Sequence, residues 1–212
     1  MTKCVVLLGG DILVSARLLA QCQGAMVIAA DSGVRHAAVL GLTVDCWLGD
    51  FDSTTPDIAR QYADLPRKIF PVDKDKTDGE LAIDEGISRG AKSFLLVGAF
   101  GGARTDHALL HNFQALALAR RGFDVMLTNG LEEAVPVLGG EKCFNLAQGT
   151  LFSLVGFGKL EGVSITGAKW PLIDRLVESG SSLTVSNVAT GPVTVSITVG
   201  EALFIAGSLV QH

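Results

Sequence analysis

The stretch "CWLGDFDSTTPD", Cys46 to Asp57, carries the ingredients of a strand, a turn and the start of a helix. Cys46–Leu48 is a short apolar run of the kind that forms a buried strand. Gly49 ends it, and Asp50, Phe51 and Asp52 follow. Thr55 then precedes Pro56, which suits the first position of a helix because its missing N–H would be unpaired there anyway. If the turn stays extended, Asp50 and Asp52 face one way and Phe51 the other, as a buried anchor. Two adjacent carboxylates repel, so this reading asks for a cation between them.

The same strand–turn–helix unit recurs on either side. Apolar, β-branched runs lie at Cys4–Leu8, Met26–Ala30, Lys68–Val72, Phe94–Val97 and Asp124–Leu127, with helix-like segments between them. The clearest helix runs from about Asp106 to Arg121, with Leu109, Leu110, Phe113, Leu116 and Ala117 on one face. Another begins at Thr77, where T-D-G-E pairs Thr77 with Glu80 as a capping box. Strands alternating with helices predict an open, mainly parallel α/β sheet. After Gly130 the texture changes. Phe152–Gly156, Val163–Ile165, Leu183–Ser186, Val193–Val199 and Ala202–Ala206 read as strands separated by Gly, Ser, Asn and Pro. "PVTVSITV" alternates strictly, as a half-buried antiparallel strand does. The expectation is an α/β domain over residues 1–132 followed by an antiparallel β-sandwich over residues 133–212.

The totals narrow the function. With 212 residues and 48% hydrophobic content the chain can bury one good core or two small ones. A formal net charge of −5 argues against a nucleic-acid binder or a protein held on an anionic membrane. It suits a cationic ligand, or an anion that arrives with its own metal. No apolar run reaches the length of a spanning helix, and Cys4–Leu8 lacks the shape of a signal peptide. Cys4, Cys22, Cys46 and Cys143 form no C-x-x-C pair, and are expected to be reduced core residues of a cytoplasmic protein.

Eleven of the fourteen aspartates fall between residues 31 and 106, where even scattering would put about five. Asp31, Asp50, Asp73, Asp75 and Asp106 each follow an expected strand, and ligands of open α/β sheets bind at the carboxyl ends of strands. Each acid also has an ordinary reading, as a turn former or a first-turn acid. The convergence of Asp31, Asp50, Asp52, Asp75, Asp78 and Asp106 is harder to explain as six separate caps. Carboxylate oxygens favour Mg²⁺ over zinc or copper, and Mg²⁺ commonly keeps waters and substrate phosphates as its other ligands. Donors for phosphate lie in "GAFGGARTDH", Gly98 to His107, a glycine-rich turn with Arg104 that opens a helix. Arg35, Lys74 and Lys76 are further candidates. Neither a P-loop nor a G-x-G-x-x-G fingerprint is present. His107 and His111 stand four apart, but Ala108 replaces the Glu of the zinc-protease motif, which favours a structural role.

Taken together, "AADSGVRHAAVLGLTVDCWLGDFDS", "DKDKTDGELAI", "GAFGGARTDHALLHN", "SITGAKWPL" and "SLTVSN" resemble the thiamine pyrophosphokinases, in the order that family shows. The resemblance implies an α/β nucleotide-binding domain, a C-terminal β-sandwich, and a homodimer. It implies transfer of pyrophosphate from ATP to thiamine, giving thiamine diphosphate and AMP, dependent on Mg²⁺. Carried over by position, Asp50, Asp52 and Asp78 form the metal and pyrophosphate centre, with Asp31 and Asp75 in support. Asp78 can alternatively orient the attacking hydroxyl. Arg35 joins Thr77, Arg104 and Asp106 in contacting the nucleotide, and Trp170, Ser186 and Asn187 lie near the thiamine rings. Two departures stand out: Ser32 where the family commonly has glycine, and Ala103, which lengthens the usual G-G-R-x-D-H turn by one residue. The alternatives are a related pyrophosphokinase acting on a pterin alcohol, a non-catalytic nucleotide sensor, and a Mg²⁺-dependent nucleotide hydrolase.

Overall fold

Six short strands of the first half run parallel: β1 (Lys3–Leu7), β2 (Met26–Ala30), β3 (Cys46–Gly49), β4 (Arg67–Ile69), β5 (Ser93–Val97) and β6 (Asp124–Thr128). Their order is β6-β5-β1-β2-β3-β4. All but the edge strand β4 are almost wholly buried, which is why they read as continuous apolar runs rather than as alternating ones. The coordinates are a computed structural model that describes residues 2–51, 55–71, 73 and 75–207. They divide into two compact units, Met1–Gln114 with Phe123–Gly130, and Ala115–Gly122 with Leu131–His212.

Local chemistry explains where the helices of the first unit begin. α1 (Ala16–Cys22) is capped by Ser15, whose hydroxyl accepts from the Leu18 N–H. β2 passes into a 3-10 turn (Asp31–Arg35) and then α2 (His36–Val39). α3 (Pro56–Gln61) starts with Thr55 as cap and Pro56 in its first turn, as expected. α4 (Asp78–Ser88) carries the expected capping box between Thr77 and Glu80, and packs on β1, β2 and β3. On its far turn Glu85 accepts from Lys68 of β4 at 2.5 Å and from Arg89 at 2.6 Å, tying the edge strand to the helix. Burial alone would raise the Glu85 pKa, but these two donors outweigh it and hold the carboxyl below its ordinary value.

The second unit is antiparallel. β9 (Leu151–Gly156), β13 (Ala202–Ala206) and β7 (Glu133–Val137) pair in that order. β10 (Leu160–Ala168) pairs with β11 (Leu172–Val177) and β12 (Asn187–Ile197), and β12 also pairs with β8 (Gly140–Phe144). The first two residues of β12 pair with β9, so this long strand serves both sheets. Phe144 of β8 stacks on Phe204 of β13 at 3.7 Å between ring centroids, with Phe152 of β9 beside it at 5.2 Å. These rings fill the core of the expected sandwich.

Several sequence readings are corrected. Leu183–Ser186 is a turn, not a strand: the Thr184 hydroxyl donates to Leu154 O at 2.7 Å, and Ser186 has φ of 59°. β7, β8 and β11 were not foreseen. Cys143 is exposed, whereas the other three cysteines are buried and all four are free thiols. α5 (Thr105–Arg120) buries only part of the expected face. Leu109 and Phe113 are more than half exposed, while His111, Ala115, Leu116 and Leu118 are buried. Phe51 does not continue an extended strand, since its φ of 61° turns the chain sharply after Gly49. Asp52 lies outside the described residues, as do Val72 at the end of the expected β4 run and Lys74.

Candidate functional site

Strand order in the first unit reverses between β1 and β5, the place where open α/β sheets bind their ligands. A cavity of about 470 Å³ lies there. Its walls come from the ends of separate strands: Leu8–Asp11 after β1, Asp31, Ser32 and Arg35 after β2, and Gly98 with Gly101–Arg104 after β5. The first turns of α4 (Asp78, Gly79) and α5 (His107, Ala108, His111) complete it. Thus Asp31, Arg35, Asp78 and Arg104 are brought to one cavity. Asp50, Asp75, Thr77 and Asp106 are not among its lining residues.

The glycines here are required by close approach. A side chain on Gly10 would run into the carbonyl of Gly98 and sit 2.8 Å from the carbonyl oxygen of Phe100. Gly98, Gly101 and Gly102 all have positive φ, between 65° and 84°. Arg35 holds the opposite rim: it donates to Gly9 O at 2.6 Å and lies 3.9 Å from the Asp11 carboxylate. His36 Nε2–H donates to Gly10 O at 2.8 Å. Burial and the neighbouring Arg35 charge lower the His36 pKa, so the ring works as a neutral donor.

His111 is buried and has the structural role that its sequence context favours. Its Nδ1–H donates to Ala99 O at 3.2 Å, and burial lowers its pKa. The ring therefore ties the glycine-rich turn to α5, with its Nε2 turned towards Gly79 of α4. Arg104 forks onto the Asp106 carboxylate at 3.0 and 2.7 Å, both side chains being exposed. That contact raises the arginine pKa and holds Asp106 well below the usual carboxylate range. Asp106 thereby acts on the cavity through Arg104. Three further aspartates of the acidic stretch are structural: Asp45 accepts from the Val27 N–H, Asp57 pairs with Arg60, and Asp84 with Lys76.

Among the described residues, no three His, Cys, Asp or Glu side chains converge on a single metal position. Asp52 of the expected triad lies outside the described residues. Of the carboxylates that line the cavity, Asp11 lies beside Arg35, while Asp31 and Asp78 fit a hard cation that reaches the site already bound to phosphate, because Mg²⁺ needs only one or two carboxylates.

In the second unit Trp170, Ser186 and Asn187 lie together. Asn187, buried, accepts from the Trp170 backbone N–H at 3.2 Å and donates to Trp170 O at 2.8 Å. The Trp170 ring is 53% exposed, with the Lys169 ammonium 4.7 Å above it. Such a ring face accepts a cation. The Ser186 N–H donates to Ser153 Oγ at 3.0 Å. Sequence reasoning missed Ser32, His36 and the Gly9–Asp11 turn as site residues. The glycine pair directly after an apolar strand was the signal available.

A parallel sheet with acids and a glycine-rich turn at its switch point, followed by an antiparallel β unit, defines a two-unit α/β protein with an anion-binding site at the carboxyl edge of its sheet. Residues 17–127 match the family model described as thiamin pyrophosphokinase, catalytic domain, and residues 143–203 the thiamin pyrophosphokinase, vitamin B1 binding domain. The chain belongs to the thiamin pyrophosphokinase family and is an enzyme of that class, a pyrophosphoryl transferase. Similar solved structures include thiamine pyrophosphokinase from Bacillus subtilis, with a TM-score of 0.82, 24% identity, and coverage of 98% of this chain and 99% of that one. The enzyme from Geobacillus thermodenitrificans gives 0.81, 26%, and 98% of each chain. Yeast thiamin pyrophosphokinase shares the fold at 0.75 with 11% identity, covering 99% of this chain and 86% of its own. No curated protein matched the sequence. No described helix is long and apolar enough to cross a membrane.

Proposed function

We propose that this enzyme transfers the pyrophosphoryl group of ATP to the hydroxyl of thiamine, giving thiamine diphosphate and AMP. The observation that carries the reading is the single cavity that gathers Asp31, Asp78, Arg35, Arg104 and the glycine-rich backbone at the sheet's switch point. Phosphoryl transfer needs positioning and charge neutralisation more than covalent chemistry, and this set supplies both. The thiamine hydroxyl attacks the β-phosphorus in line. Its bond forms as the bond from that phosphorus to the AMP oxygen breaks, and the hydroxyl proton is released to solvent.

Arg104 and the backbone N–H groups of the glycine-rich turn hold phosphate oxygens. Arg104 must first give up Asp106, so Asp106 keeps the fork oriented until the nucleotide arrives. Asp31 and Asp78 would hold Mg²⁺, which supplies charge neutralisation on the phosphates, with Asp50 and Asp52 as the further acids that the family resemblance assigns to the metal. Asp75 and Thr77 support the same edge, Thr77 by fixing the first turn of α4 that carries Asp78. In the second unit Trp170 receives the cationic ring of thiamine, with Ser186 and Asn187 setting the local backbone. In this reading residues 1–132 handle nucleotide and metal, and residues 133–212 contribute to thiamine binding. The working form is a cytoplasmic homodimer, and exposed Ile173 and Leu176 on β11 are apolar surface that a second copy would cover.

The test is incubation with ATP and Mg²⁺, with and without thiamine, following AMP and thiamine diphosphate together. Equal yields of both, only with thiamine present, are expected. AMP release without thiamine would refute the reading in favour of a hydrolase, and transfer to a pterin alcohol but not to thiamine would refute the acceptor.

A further inference from the structure

Four described non-glycine residues have positive φ, and two of them, Asp31 (43°) and Phe51 (61°), touch the same side chain, Trp47. This region is disfavoured for any residue with a Cβ, and such turns persist only where the surroundings over-determine them. Trp47 sits in the middle of β3 with no exposed surface, paired to Ala29 of β2 and Arg67 of β4. Its indole Nε1–H donates to Asp31 O at 2.9 Å. Its ring meets Phe51 edge-on at 4.7 Å between centroids. The Arg67 guanidinium lies 4.7 Å over the indole and 5.7 Å over the Phe51 ring, and it donates to Ala59 O and Tyr62 O at 3.1 Å each. Gly49 leaves room for this arrangement, since a Cβ there would press on Asp31 Cα and Cβ at 3.3 Å.

We propose that Trp47 is a positioning residue: its indole N–H holds the Asp31 backbone in the left-handed turn that aims the carboxylate into the cavity, while its ring supports the turn carrying Asp50. A tryptophan that merely filled the core beneath an edge strand would have no need of the donor, and any large apolar ring would serve. The donor is aimed at the carbonyl of Asp31 itself, the residue whose left-handed turn it would hold. The proposal rests on the reading of Asp31 as a nucleotide- and metal-site acid.

Trp47→Phe deletes the donor and keeps an aromatic edge under Phe51. It is compared with Asp31→Ala and with the double variant, by AMP release at saturating thiamine, by titration of nucleotide binding in the absence of thiamine, and by thermal melting. Trp47→Phe is expected to lower kcat/KM for ATP about tenfold, as a misaimed catalytic-site group does, and to weaken nucleotide binding in proportion. The KM for thiamine stays within about twofold. In the Asp31→Ala background the same change costs less than about twofold more, because the residue it acts through is already gone. Losses that simply multiply in the double variant, or a fully active Trp47→Phe beside an impaired Asp31→Ala, would overturn the positioning role alone. A fully active Asp31→Ala would overturn the reading of Asp31 itself, and the proposal with it. Should Trp47→Phe fail to fold, indole proton exchange in the wild-type protein decides. The Trp47 indole proton is expected to outlast that of the half-exposed Trp170 in heavy water, and loss at the same rate would overturn the hydrogen bond.

Discussion

Gly10→Ala should damage the catalytic cavity without removing any functional group. Gly10 donates its N–H to Gly98 O at 3.0 Å, and the two glycine-bearing turns touch across the switch point. An alanine methyl would lie 2.8 Å from Phe100 O and closer still to Gly98 O. An ordinary carbon–oxygen contact is about 3.3 Å, so the turns must separate by at least about 0.5 Å at Phe100 and by more at Gly98. Backbone carbonyls cannot swing aside as a flexible side chain does. In the proposed reading these turns hold the reacting phosphates, and a displacement approaching 1 Å there costs on the order of 10²-fold in rate. The accompanying overpacking costs about 2 kcal/mol. For a chain of this size that corresponds to a Tm lower by roughly 4–8 °C. Initial rates of thiamine diphosphate formation at varied ATP, paired with a melting curve, separate the two effects. Gly90→Ala is the control: its φ of 86° is strained for alanine, but nothing lies within 4 Å of the new methyl. It should cost similar stability and leave kcat/KM unchanged. A Gly10→Ala enzyme with wild-type kcat/KM for ATP would refute the close-approach argument and the assignment of this cavity to the nucleotide.

Asp78→Asn is expected to reduce kcat by about 10²–10³-fold with a Tm within a few degrees of wild type, because it removes charge at the cavity and leaves the Thr77 cap intact; near-normal turnover at limiting Mg²⁺ would contradict its role. Trp170→Ala should raise the KM for thiamine about tenfold and leave that for ATP unchanged, as loss of a cation-binding ring face predicts. An unaltered thiamine KM would refute it. Glu85→Gln tests the tie between α4 and β4. Its folded pKa is depressed, so its stabilisation is present above the unfolded value of about 4.3 and is lost as pH falls through the lower folded value. The wild type should therefore exceed Glu85→Gln by about 1–3 kcal/mol near neutral pH, and the gap should close between roughly pH 5 and 3 in acid melts.

Where the sequence was legible, the cause was local or the burial was two-sided. β1, β2, β3 and β5 are apolar runs because a parallel strand covered on both faces needs nothing else, and the Thr55–Pro56 and Thr77–Glu80 starts are encoded within four residues. Of the described acids expected to converge, Asp50, Asp75 and Asp106 do not line the cavity. Asp31 and Asp78 meet in the cavity, while Asp45, Asp57 and Asp84 serve ordinary hydrogen bonds and ion pairs. Nothing in a single sequence separates these two groups, because an aspartate that caps a turn and one that faces a ligand have the same neighbours along the chain.

Alternating chemistry along the chain thus settles the class of fold, the order of its two parts and the edge of the sheet that carries the acids. The remainder depends on partners far away in sequence. "LTVS" at 183–186 alternates like a strand, yet Thr184 spends its hydroxyl on Leu154 O and the segment turns. The apolar ridge of α5 is a helix face by spacing, but which face is buried depends on what packs against it, and His111 turns inward to reach Ala99. Phe51 reads as the buried anchor of an extended turn until Trp47, four residues earlier on β3, is placed against it and the chain is seen to bend there. The left-handed turns of Asp31 and Phe51 cost local energy that local sequence gives no reason to accept. Only the packed sheet, which sets the indole of Trp47 beneath both turns, supplies the contacts that keep them.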